Sequence, residues 1–338
     1  DVGTAPRPGG VGDVARAQDV DASRMPERGN EDDGAHHFYE RGLELTADLE
    51  SVRRTAESLN NLGLVAKRLG EYGDAREHYE RSLERYRALG DREMTVTVLC
   101  NLGLAALAGG EPADAREYLE RGLEGAKELG DRPRIAETFN HLGHAAYDLG
   151  EFEEAREHYE RSLSLYRDLG DEEMLAAVLD NIGGVEQDME AYEAARDSYE
   201  QCLELRRKHG DRRGVARCLN RLGNIAYSQG ENEVAAGYHE RSLERYRELD
   251  DKVMIATVLA NLGHDAYHLN EYDDARDYYE RSLRLNEELG TEAEVATLLD
   301  DLGNTARAQG DYESARDYYE RGLELREEFG DGTGSRPT

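Results

Sequence analysis

The stretch that decides the fold is LNNLGLVAKRLGEYGDAREHYERSLERYRALGD, residues 59–91, because close copies of it return every 40 residues along the chain. The dipeptide Leu62-Gly63 recurs at the same step, with Ile182-Gly183 as its one apolar variant, and so does the motif that begins at Tyr79. Self-similarity at a fixed period indicates a repeat architecture. The pattern predicts seven units, 51–90, 91–130, 131–170, 171–210, 211–250, 251–290 and 291–330.

Each unit carries two apolar stripes at helical spacing. In the first unit they occupy residues 59–69 and 75–89. Apolar residues that recur three and four positions apart are typical of an amphipathic helix, so each unit is predicted to form two helices. Because one unit cannot bury both stripes by itself, we expect the units to stack on one another.

The segments between the stripes carry stop and start signals for helices. Gly70 and Gly90 follow the last apolar residues of the two helices, where a left-handed turn ends a helix. Asp91 then occupies the place of an N-cap for the next helix. Thr291 and Glu294 have the spacing of a capping box, which predicts reciprocal hydrogen bonds at the start of the last unit.

These residues resemble the tetratricopeptide repeat. The matching positions are Leu59, Leu62-Gly63, Ala66, Gly70, Tyr72, Ala75, Tyr79 and Ser82. The 40-residue unit is similar to the longer variant of kinesin light chains, Pins-type adaptors and the repeat arms of signalling ATPases. The resemblance implies an all-α, right-handed superhelical solenoid of tandem helix-turn-helix repeats. Departures are local, since Pro112 and Asn232 replace the first aromatic residue and Glu190 and Asn270 replace the turn glycine.

The ends of the chain differ from the repeats. Residues 34–50 match a second helix, but Asp19, Ala22 and Pro26 stand where its partner helix would need apolar or small residues. We therefore predict an orphan or capping helix of a partial repeat over 34–50. The Pro- and Gly-containing segment 1–33 and the last residues, 331–338, are predicted to be flexible tails.

The composition is strongly acidic, with a formal net charge of -32 from 74 acidic and 42 basic residues, of which only four are Lys. This profile resembles proteins of salt-in halophiles, where salt screens a dense acidic surface; an ordinary acidic mesophilic adaptor is the alternative. No apolar run approaches the ~18 residues of a membrane helix, and no signal peptide is visible, so a cytoplasmic protein without membrane association is expected. The three cysteines form no CxxC pair and are expected to stay reduced.

Candidates for catalysis are few. His264 and His268 have the spacing of a zinc-binding helix motif, but the sequence places no third ligand beside them. The pair His141 and His144 is an equally weak candidate for a metal site. The chain has no phosphate-binding Gly-rich loop and no nucleophile motif. The sequence therefore predicts a protein that is not an enzyme and needs no metal or cofactor. The 20 Tyr residues could stack on bases, but the net charge repels phosphate, so nucleic acid is not an expected partner.

The resemblance implies that the first helix of each unit lines a concave groove. Asn and Tyr residues that packing does not require collect at these positions, and an Asn amide can both donate to and accept from a peptide backbone. The alternative for each Asn is a bond to a neighbouring helix. The residues expected to form a peptide-binding groove are Asn140, His144, Tyr147, Asn181, Arg217, Asn220, Arg221, Asn224, Tyr227, Asn261, His264, Tyr267, Asn304 and Arg307.

Two of these residues stand out within RKHGDRRGVARCLNR, residues 207–221, a basic segment in an acidic chain. Arg217 and Arg221 lie one helical turn apart, and no other unit has Arg at either position. Neighbouring guanidiniums repel each other unless an anion lies between them, which predicts an acidic or phosphorylated anchor in the partner. A surface charge network is the alternative.

The function predicted from these observations is a non-catalytic protein–protein interaction scaffold that binds a peptide or a partner helix. A second hypothesis is a sensor or regulatory repeat arm, or a fragment, of a signal-transduction ATPase. A metal-dependent enzyme is a third, weaker alternative. The sequence identifies neither the partner nor the oligomeric state.

Overall fold

A computed structural model describes residues 36–37 and 52–332. The predicted tail 1–33 lies outside the described residues, and so does the predicted orphan helix 34–50 apart from the helical residues His36 and His37. The last described helix ends at Gly332, two residues beyond the predicted boundary at 330.

Fourteen helices and no strand make up the chain between residues 52 and 332, which confirms the predicted all-α class. They are α1 (Val52–Leu69), α2 (Tyr72–Ala88), α3 (Arg92–Ala108), α4 (Pro112–Leu129), α5 (Arg132–Asp148), α6 (Phe152–Leu169), α7 (Glu172–Asp188), α8 (Tyr192–Lys208), α9 (Arg212–Ser228), α10 (Asn232–Glu248), α11 (Lys252–His268), α12 (Tyr272–Leu289), α13 (Glu292–Gln309) and α14 (Tyr312–Gly332). The chain divides after Glu111 into two compact units. Within each unit, helices pack chiefly on the next helix in sequence.

The turns follow the predicted signals at most boundaries. Gly70 and Gly90 adopt φ values of 80° and 66°, and the Asp91 carboxylate accepts a hydrogen bond from the Met94 N–H at 3.2 Å. The capping box predicted at Thr291 is wrong. The Thr291 hydroxyl instead donates backwards to the Asn286 side-chain oxygen at 2.6 Å, so it does not cap α13.

Three turns keep the left-handed backbone without glycine, at Glu190 with φ 58°, Asp250 with φ 53° and Asn270 with φ 65°. A left-handed conformation costs most L-residues ~1–2 kcal/mol, whereas Asn tolerates it better. We expect Glu190→Gly to raise the free energy of unfolding by about 0.5–1 kcal/mol, because the relief of strain exceeds the entropy that glycine adds to the unfolded chain. Urea unfolding measures this gain in stability. Asn270→Gly is the control, for which we expect a smaller gain. Equal stability of Glu190→Gly and the wild type would contradict the expectation.

The core forms where the two helices of a pair approach through a glycine. A Cβ built on Gly143 would lie 2.5 Å from the Tyr159 ring, so any larger residue would clash with that ring. Burial also depends on the neighbouring repeat. Leu243 is 5% exposed, whereas Leu323, two repeats later at the same position, is 55% exposed. None of the described helices combines the length and the apolar character that crossing a membrane requires.

Candidate functional site

The predicted groove residues all belong to the second compact unit, where each lies on the first helix of its pair. We call the surface that they form the groove face. Its residues are Asn140, His144 and Tyr147 on α5, Asn181 on α7, Arg217, Asn220, Arg221, Asn224 and Tyr227 on α9, Asn261, His264 and Tyr267 on α11, and Asn304 and Arg307 on α13.

The asparagines of the groove face bond to one another across neighbouring repeats. The Asn181 amide donates to Asn140 Oδ1 at 3.0 Å, and the Asn261 amide donates to Asn220 Oδ1 at the same distance. The two acceptors are buried, with 6% and 8% exposure. These four residues therefore fit the alternative of a bond between neighbouring helices, and Asn140 and Asn220 have little surface to offer to a ligand.

Side chains from the second helix of a pair contact groove-face residues of the first helix. The Tyr159 hydroxyl lies 3.0 Å from His144 Nδ1, and the Tyr319 hydroxyl donates to Asn304 Oδ1 at 2.9 Å. Burial lowers the pKa of His144 to about 4, so this ring is neutral near pH 7. The sequence interpretation missed these supporting residues. A constant separation of 15 residues between the groove position and the aromatic residue could have identified them.

One supporting residue is a histidine in place of tyrosine. His239 Nδ1 lies 2.6 Å from Asp265 Oδ2, and its Nε2 lies 3.1 Å from Asn224 Oδ1. The Asn261 amide also donates to Asn224 Oδ1, at 3.2 Å, which fixes that oxygen as an acceptor. Both ring nitrogens of His239 therefore face oxygen atoms that can accept a hydrogen bond. The His239–Asp265 pair is buried, with both side chains 1% exposed.

The tyrosines and histidines on the groove face also make contacts within the protein. The Tyr147 hydroxyl donates to Asp188 Oδ2 at 2.5 Å, and this bond raises the Tyr147 pKa. His264 Nε2 lies 3.2 Å from Asp301 Oδ2, while the His268 ring packs edge-on against Tyr227. In the chain that the structure describes, neither His264 nor His268 belongs to a cluster of three or more potential metal ligands.

Half of the six Lys and Arg residues in the basic segment 207–221 pair with carboxylates. The pairs are Lys208 with Glu172 on α7, Arg213 with Asp251, the N-cap of α11, and Arg217 with Asp180 on α7. Arg217 is therefore not the free guanidinium that the prediction of an arginine pair assumed, because its Nη2 lies 3.2 Å from Asp180 Oδ2. Arg221 is exposed and forms no hydrogen bond or ion pair with the residues that the structure describes.

The family profile described as tetratricopeptide repeat matches residues 54–128, 116–168, 134–208, 174–248 and 254–328. No curated protein matches the sequence significantly.

Several solved structures share the fold at low sequence identity. The signal-transduction ATPase with a tetratricopeptide repeat sensor from Pyrococcus horikoshii superposes with a TM-score of 0.74 at 15% identity, over 88% of this chain and 45% of that one. BtubC from P. vanneervenii superposes with a TM-score of 0.58 at 23% identity, over 66% of this chain and 92% of that one. A Rap protein complexed with Competence and Sporulation Factor superposes with a TM-score of 0.54 at 16% identity, over 86% of this chain and 80% of that one. The repeated helix pairs, the glycine contacts and the profile matches agree that this solenoid chain belongs to the tetratricopeptide repeat family.

Proposed function

We propose that this protein is a non-catalytic interaction scaffold whose groove face binds a peptide or a helix of a partner protein, with an acidic or phosphorylated group anchored at Arg221. The observation that carries the proposal is the exposed Arg221 guanidinium, which has no carboxylate partner among the described residues of a chain with net charge -32. A guanidinium presents a planar pair of donors that matches a carboxylate or a phosphate.

Several polar side chains of the groove face are fixed by contacts within the protein. Asn224 and His144 are held by bonds to other side chains, which keeps polar groups in fixed orientations. Such preorganisation lowers the entropic cost of binding an extended ligand. Among structural neighbours, a Rap protein is known in complex with Competence and Sporulation Factor, which supports a ligand-binding role for this fold without identifying the ligand here.

A panel of synthetic peptides tests the anchor. The panel contains pairs that differ only by Glu against Gln, or by phosphoserine against Ser, and fluorescence anisotropy gives the dissociation constant of each at several KCl concentrations. We expect the wild type to prefer the charged member of a pair by about tenfold to a hundredfold, the range that a charge-assisted hydrogen bond supplies. Arg221→Gln is expected to lose this preference and most of the salt dependence of binding.

The matched control is Arg212→Gln, since Arg212 is also an exposed arginine of α9 but begins the helix outside the groove face. It should bind like the wild type. Asn224→Ala is a poor test, because it also removes the acceptor of the buried His239 ring. If Arg221→Gln kept the same preference and the same salt dependence, the anchor would be ruled out.

A sensor arm of a signalling ATPase is the second candidate. It is favoured by the superposition of 88% of this chain on the Pyrococcus horikoshii protein, of which this chain spans 45%. At 15% identity the superposition shows only that the two proteins share a fold. The native coding sequence around this chain tests the candidate: an adjoining ATP-binding domain would support it, and a gene limited to the repeats would exclude it.

A further inference from the structure

Two cysteines that are 16 residues apart in sequence meet in the core of the second compact unit. Cys202 on α8 and Cys218 on α9 are both fully buried, and their sulfur atoms are 3.2 Å apart. Other repeats carry different residues at these positions. Serine matches Cys202 at 82, 162, 242 and 282, and valine matches Cys218 at 98, 178 and 258. The two thiols are therefore a local feature of one junction between repeats.

A carboxylate completes the cluster. One Asp180 oxygen, from α7, and the two sulfurs all lie within 4.8 Å of one another. Asp180 Oδ2 is 3.2 Å from Arg217, while Asp180 Oδ1 is buried without a hydrogen-bond partner. A buried carboxylate oxygen without a partner is costly, so the site lacks a donor or a cation that would satisfy it.

We propose that Asp180, Cys202 and Cys218 form a binding site for a thiophilic divalent metal ion of the zinc class. Two sulfurs and one oxygen suit zinc, whereas magnesium and calcium prefer oxygen ligands alone. A zinc–sulfur bond is ~2.3 Å long, so a tetrahedral site needs the sulfurs roughly half an ångström further apart than they are. A water molecule or a solute would supply the fourth ligand.

The charge balance permits this ion in the core. Binding of Zn²⁺ releases one proton from each thiol, so the total charge of the cluster does not change. Both nearby guanidiniums already have carboxylate partners, since Arg206 lies 2.9 Å from Asp211 and Arg217 pairs with Asp180 Oδ2. The Arg217 contact would then orient the carboxylate from outside the coordination sphere, as hydrogen-bonding neighbours of metal ligands do.

At this location a bound ion would link two neighbouring repeats. The neighbouring repeat junctions are bridged by the Asn140–Asn181 and Asn220–Asn261 bonds, whereas Asp180 and Arg221 stand at the corresponding positions of the junction between α7 and α9. A metal held by α7, α8 and α9 would connect these two repeats where the amide bond is missing.

The test uses the full chain, stripped of metal by a chelator and reduced with a phosphine. After Zn²⁺ is added back and the excess removed, native mass spectrometry counts the ions bound per chain. A separate titration with Cd²⁺ monitors the sulfur-to-metal charge-transfer absorption, which carboxylates of the acidic surface do not produce. We expect one metal per chain with the thiolate absorption. We also expect a higher melting temperature with Zn²⁺, because the ion binds the folded state.

The variants use residues that other repeats carry at the same positions. Cys202→Ser with Cys218→Val should abolish the absorption, and Asp180→Asn should weaken binding by about tenfold or more. Cys100→Ser, which changes the cysteine outside the cluster, should behave like the wild type. The proposal is overturned if the double variant binds Zn²⁺ as the wild type does, if the reduced wild type gives no thiolate absorption, or if Asp180→Asn binds with unchanged affinity.

Discussion

The variant His239→Tyr is expected to lose about 3–5 kcal/mol of folding free energy at pH 7, although tyrosine is the residue that most other repeats carry at this position. The substitution removes the imidazole that lies 2.6 Å from the buried Asp265 carboxylate. Asp265 Oδ1 already lacks a hydrogen-bond partner, so the orphaned carboxylate would have no replacement for the lost contact. Urea unfolding followed by circular dichroism measures the loss.

The pH dependence of this loss identifies its cause. An unpaired buried carboxylate binds a proton more tightly in the folded than in the unfolded chain, so the deficit should shrink as the pH falls towards 4 and persist at higher pH. A cavity or a steric clash would give a deficit that does not depend on pH.

The control is the double variant His239→Tyr with Asp265→Ala, since alanine stands at the matching positions 105 and 145. Replacing a whole buried ion pair by well-packed residues is often neutral or stabilising by ~1–4 kcal/mol. We therefore expect the double variant to be at least as stable as the wild type. A single variant that loses less than about 1 kcal/mol at pH 7 would show that the pair contributes little.

Leu243→Ala is expected to cost about 2–5 kcal/mol, while Leu323→Ala costs less than about 1 kcal/mol. The two leucines occupy the same repeat position, but only Leu243 is covered by the next repeat, where it packs in a cluster with Val258 and Leu262. Truncation there leaves a cavity, whereas Leu323 is already 55% exposed.

Thermal or urea unfolding of the two leucine variants under identical conditions provides the comparison. Because the substitution and the repeat position are the same, the difference between them reports the burial that stacking provides. Equal losses would mean that stability is set within each helix pair rather than between pairs.

The helices were predictable because their signals are local. The apolar stripes, the glycine after Leu69 and the Asp91 cap act within a few residues, so a single unit contains the information. The Thr291 prediction failed because spacing alone cannot tell whether a hydroxyl turns forward to the helix or back to Asn286. Fold class and register follow from the sequence, while the direction of one side chain does not.

The site was predicted less completely because its contacts cross repeats. Groove positions could be read from the register, but the partner of Arg217 is Asp180, 37 residues earlier, and nothing local connects the two. His239 and Asp265 each depart visibly from the repeat pattern, yet only the stacked helices bring them together. Cys202 and Cys218 looked unrelated for the same reason.

The amide bonds along the groove face have a longer period than the helices. Asn101 bonds to Asn60 in the first compact unit, and the Asn140–Asn181 and Asn220–Asn261 bonds follow at intervals of 80 residues. The chemical building block is therefore a pair of repeats, although the structural step is 40 residues. Excising residues 171–250 would bring Asn140 opposite Asn261 and preserve the bonding pattern, whereas excising 171–210 would bring it opposite Arg221. Growth or loss of this array in whole pairs of repeats keeps the amide bonds in phase, whereas a change by a single repeat breaks the pattern.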